Sequence, residues 1–105
     1  MRDEADTKIN STTRLNVSAP WAVTSARVLS GHRLSVRFAD GTHGEVDASR
    51  LIFGDRAGVF ERLRDPSAFA RVRVEHGAVT WPGNLDLAPD AMYDAIKAAG
   101  VWILE

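Results

Sequence analysis

The chain has 105 residues, 45% of them hydrophobic and 26% charged, enough apolar material for one domain around one core. Its 13 basic and 14 acidic side chains leave a formal net charge of −1, so no global field recruits nucleic acid or an anionic membrane. Cysteine is absent, which excludes disulfides, thiolate metal sites and a cysteine nucleophile.

Residues 1–18 are polar with mixed charges and bury too little to offset their ordering entropy, which predicts a mobile tail. The opening "MRDEADTKIN" has no hydrophobic segment of the kind a secretory signal needs, and no apolar run approaches the ~20 residues of a membrane span. A cytoplasmic protein with no membrane contact is the expectation. Ala19-Pro20-Trp21 marks entry to a domain over residues 19–99, with Trp21 expected as a lid on the core.

"AVTSARVLS" reads as a strand and "RLSVRFA" as a second, with Leu34, Val36 and Phe38 on one face and Arg33, Ser35 and Arg37 on the other. A two-residue loop at Asp40-Gly41 would mix apolar and polar side chains on one face. A three-residue loop, Ala39-Asp40-Gly41, places Leu34 opposite Val46, Arg33 opposite Asp47 and Gly44 opposite Val36, so the pattern selects it. After Leu51-Ile52-Phe53, Asp55 is placed to cap a helix over Arg56–Arg64 with Val59, Phe60 and Leu63 inward. Asp65-Pro66 stops that helix and starts a short turn, with Phe69 pointing to the core.

"ARVRVEHGAVTW" reads as a hairpin about His76-Gly77, with Val72, Val74, Val79 and Trp81 inward. Pro82-Gly83-Asn84 breaks the strand. Pro89 opens a helix, Asp90 meets its positive end, Met92 and Ile96 line one side with Ala99, and Gly100 ends it. Trp81, Pro82, Pro89, Asp90 and Tyr93 are therefore read as a structural corner rather than a site. The order (three-strand meander, helix, hairpin, C-terminal helix) predicts an α+β fold with one antiparallel sheet of about five strands.

The motifs "FADG" (Phe38 to Gly41), "LRDPSAF" (Leu63 to Phe69) and "VTWPGNLDLAPDAMYD" (Val79 to Asp94), with their spacing, resemble the bacterial domain-of-unknown-function family 2442 over about residues 20 to 96. The resemblance implies a small α+β protein and no agreed biochemical activity. The likeness of some members to antitoxin halves of two-gene toxin–antitoxin modules implies a protein partner. The chain departs from the family pattern at the corner, where Gly83-Asn84 stands in place of Asn-Gly, and at Ala88, where a serine is usual and alanine cannot cap.

No catalytic constellation emerges. His32, His43 and His76 fall at turns without zinc-site spacing, and read as exposed. Asp86, Asp90 and Asp94 are four apart, but Pro89 starts the helix after Asp86. Neither a nucleophile elbow nor a phosphate-binding glycine loop is present, and no metal or cofactor is expected. An enzyme would need a concave pocket holding His43, Asp40 or these aspartates together.

Two surfaces remain. Arg27, Arg33, Arg37, Arg71 and Arg73 point away from the predicted core and form a basic patch if both hairpins share one sheet; the alternative is a solvated face balanced by Glu45, Asp47 and Glu75. Trp102, Ile103 and Leu104, in an apolar tail over residues 100–105, either pack on the chain's own sheet or dock on another chain. The expected role is a non-catalytic protein-binding module, antitoxin-like or inhibitor-like, whose partner is another protein or a second copy. Nucleic-acid backbone binding through the arginine face is the alternative.

Overall fold

In the computed structural model, which describes residues 19–105, the class is α+β, as the segregated strand and helix patterns require. The predicted tail over residues 1–18 lies outside the described residues. β1 (Val23–Leu29), β2 (Arg33–Phe38) and β3 (His43–Asp47) form an antiparallel meander. Leu34 faces Val46, Arg33 faces Asp47 and Val36 faces Gly44, the register of the three-residue loop. At that turn the Gly41 N–H donates to Phe38 O at 3.0 Å, and Gly41 takes φ +90°, open to glycine at no steric cost. Leu34, Val36, Phe38 and Val46 are all buried on the inner side.

The single five-stranded antiparallel sheet is corrected to two sheets. β7 (Val101–Ile103) adds to the meander beside β3 and runs parallel to it, giving the order β1-β2-β3-β7. β4 (Arg73–Glu75), β5 (Ala78–Trp81) and β6 (Leu85–Asp86) make a separate antiparallel sheet. The physical reason lies in β5: Val79, Thr80 and Trp81 are all buried, so this strand is covered on both faces and cannot extend a sheet with one open face. The sheets meet where Val23 N–H donates to Gly77 O at 2.9 Å, and they share one core.

The C-terminal segment packs on the chain's own sheet. Glu45 N–H donates to Gly100 O and Leu104 N–H to Asp47 O, Leu104 is buried and Trp102 packs against the core, while Ile103 stays 44% exposed. α3 (Pro89–Ala99) supplies the crossover that a parallel neighbour needs, with Met92 and Ile96 buried beneath it. Ala99, expected alongside them, is exposed. A Cβ built on Gly44 would stand 2.5 Å from Gly100 O and 2.6 Å from Ile96 Cγ2, so glycine lets the end of α3 lie on the sheet. Gly100, at φ +80°, closes the helix.

Between the sheets, α1 (Ser49–Phe53) buries Ile52. The helix expected over Arg56–Arg64 is instead a 3-10 helix, Gly58–Arg64, preceded by Ala57 rather than capped by Asp55. Gly58 has φ +54°, which no α-helix accommodates. At three residues per turn the inward positions become Ala57, Phe60 and Leu63, and Val59 turns outward at 57% exposure. α2 (Pro66–Phe69) follows as read: Asp65 Oδ1 accepts the Ser67 N–H at 2.9 Å, Pro66 opens the helix and Phe69 is buried. Trp21 is no core lid. It is 43% exposed, because the neighbouring Ala22 and Val23 take the buried places against the Gly77 turn.

The corner is structural at Trp81, whose buried indole N–H donates to Phe69 O at 2.9 Å. Gly83 and Asn84 both adopt left-handed φ, +94° and +64°. Glycine and asparagine both enter that region, which is why the exchanged order leaves the turn intact. Ala88 precedes α3 without a side-chain cap, and Asp90 sits in its first turn.

Candidate functional site

The five arginines read as one outward face divide into three groups. Arg27, Arg33 and Arg37 share the outer face of the four-stranded sheet, where the register sets Ser25 opposite Arg37, Arg27 opposite Ser35 and Arg37 opposite His43. Arg73 lies on the other sheet, and Arg71 lies between α2 and β4. The split follows from the two-sheet topology, which alternation within a single strand does not report.

Two of the five are neutralised locally. Arg33 Nη1 donates to Glu45 Oε1 at 2.9 Å and its Nε to Ser30 O at 2.9 Å. Arg73 is paired with Glu75 on its own strand. Among the described residues no carboxylate lies within ion-pair distance of Arg27 or Arg37. These two line an open groove of about 380 Å3 with Ser25, Ser35 and His43, floored by Ala26 and Val36. Arginine and serine alternate across β1 and β2, so the groove offers guanidinium and hydroxyl donors on a rigid ladder. Alternation sets Ser25 and Ser35 on the arginine side of their strands and the three-residue loop sets His43 opposite Arg37, as observed; that they line one groove follows from the pairing of β1 with β2.

The other candidates take structural duties. Asp40 is not in that groove. Its Oδ2 accepts the Tyr93 hydroxyl at 2.6 Å and its Oδ1 the Thr42 N–H at 2.9 Å. The Tyr93 hydroxyl, then the Thr42 amide, hold the Asp40 carboxyl down at about 2, while Asp40 pushes the Tyr93 phenol up. Tyr93, placed in the corner from sequence, therefore fastens α3 to the β2–β3 turn instead, with its ring edge-on to Phe38 at 5.2 Å and Lys97 5.7 Å from its centroid. Asp86 accepts from the buried Thr80 hydroxyl at 2.6 Å, and Asp90 bonds the Ala91 N–H, so the three aspartates do not converge.

His32 is not an exposed turn residue. It is half-buried, its Nε2 stands 3.0 Å from Leu63 O and 3.2 Å from Arg64 O, and its ring packs against Phe53 and Phe69. That bridge ties the β1–β2 turn to the end of the 3-10 helix. Among the described residues no three metal-ligating side chains stand together, and no helix is long and apolar enough to cross a membrane.

No curated protein and no solved structure matches the chain. A family model matches residues 23–98, a span that runs from the first strand of the meander through almost the whole of α3 and includes the turn, the Asp65-Pro66 cap and the Trp81 corner. By that match the chain belongs to the family described as "Protein of unknown function (DUF2442)".

Proposed function

We propose that the chain is a non-catalytic protein-binding module that docks an acidic surface of another protein on the outer face of the β1-β2-β3-β7 sheet. The observation that carries this reading is the groove holding Arg27 and Arg37 without a carboxylate partner among the described residues. Guanidinium forks grip carboxylates in a fixed geometry, and the flanking serines and His43 add hydrogen-bonding groups. Ile103, exposed at the end of β7, extends the face with an apolar contact. A second copy would oppose the same two arginines, so like charge disfavours face-to-face pairing and favours a different protein. An antitoxin-like or inhibitor-like role would be exercised by covering the partner in this way.

The test is co-purification from the native host with wild-type chain and with an Arg27→Glu/Arg37→Glu variant. The expected result is one protein recovered repeatably by the wild type and lost with the variant. Equal recovery by both, or none by either, overturns the reading. Retention of duplex DNA by the wild type alone, falling steeply with salt as counterions are released, transfers the face to nucleic-acid backbone.

A further inference from the structure

A second opening lies at the corner, and it shares no lining residue with the sheet groove. Leu63 of the 3-10 helix, Ala68 of α2, and Trp81, Pro82 and Leu85 wall an apolar slot of about 150 Å3. Arg62 and Arg71, both exposed, are its only charged lining groups among the described residues. No carboxylate lies within ion-pair distance of either one among the described residues. Arg62 is seated by the turn: a Cβ on Gly83 would stand 2.7 Å from its Nη1, so the guanidinium lies against the corner backbone.

We propose that this slot receives the C-terminal residue of a partner polypeptide, with the aliphatic side chain inside and the α-carboxylate between Arg62 and Arg71. The volume is about that of a cavity that admits benzene, which suits one side chain and no more. The walls are hydrocarbon and offer no partner for the hydroxyls of a sugar or the edge of a base. The two cations instead match an anion joined directly to an apolar group, and paired arginine donors bind a carboxylate strongly and directionally. Recognition of a terminal carboxylate by fixed donors is an established mode of peptide capture. The slot is independent of the sheet groove, with which it shares no lining residue.

The test is NMR titration of the full isotope-labelled chain with the acetylated peptide Ac-Gly-Gly-Leu, with its C-terminal amide, and with inorganic phosphate. The free acid is expected to shift the Trp81 indole N–H and the Arg62 and Arg71 side-chain signals with an affinity of order millimolar. The amide should bind about tenfold more weakly, and Arg62→Gln and Arg71→Gln should each weaken the acid by a similar factor, since each removes one charge-assisted contact. Arg27→Gln should leave the titration unchanged, which separates this site from the sheet face. Equal binding of acid and amide, shifts confined to the sheet groove, indifference to both arginine variants, or phosphate binding these residues as tightly as the peptide would overturn the proposal.

Discussion

In the four-stranded sheet burial alternates along β2, whereas in the three-stranded sheet Val79, Thr80 and Trp81 are buried one after another. The first pattern belongs to a sheet with one face on the core and one in water; the second belongs to a strand covered on both sides. The difference separates duties. The larger sheet turns a wall of polar donors outward, and the smaller one anchors the core. Thr80 shows the cost of being covered twice: its hydroxyl, buried on the second face, is satisfied by Asp86.

The contrast is tested most severely at Trp81. Trp81→Ala removes a fully buried indole and the shorter of two hydrogen bonds to the Phe69 carbonyl, which should cost about 3–5 kcal/mol in chemical denaturation, a large part of the stability of a domain this size. A loss under about 1 kcal/mol would mean the small sheet is peripheral rather than an anchor. In the larger sheet the position that reports on the seat of α3 carries no side chain at all. Gly44→Ala forces a methyl against Gly100 O and Ile96, and about 1–3 kcal/mol of overpacking is expected, with loss of amide protection along β7 before β1. Uniform loss across the sheet would show that α3 and β7 are not held through this contact.

The smallest effect is electrostatic and lies at the joint of the meander and α3. Asp40 titrates at about 2 in the folded chain against an ordinary 3.8. A depressed folded value stabilises the fold above the ordinary value, and that contribution is lost as pH falls through the folded one. Tyr93→Phe removes the largest cause of the depression, so the Asp40 carboxyl should titrate higher in a carbon-13 NMR series, and the fold should lose less stability between pH 3.8 and about 2. An unmoved Asp40 would assign the depression to Thr42 instead.

Local rules made the meander legible in the sequence: period-two alternation and a glycine at the turn determine the β2–β3 register, because a slip by one residue would turn every apolar side chain to water. They also gave the Asp65 cap, the Phe69 and Trp81 core positions and the ends of α3. The same rules misread residues 56–64, since a 3-10 and an α-helix differ by a fraction of a residue per turn and Gly58 breaks the tie only through its backbone angle.

What lay beyond the sequence was the partnering of distant segments. β7 pairs with β3 across more than fifty residues, Tyr93 reaches Asp40, His32 reaches Leu63, and Arg62 and Arg71 line one slot with a tryptophan that neither neighbours in the chain. Alternation reports which side of a strand faces the core but not which strand lies beside it. That choice follows from packing all the apolar surfaces at once, and it divided one expected arginine face into an open groove, two local ion pairs and a slot at the corner.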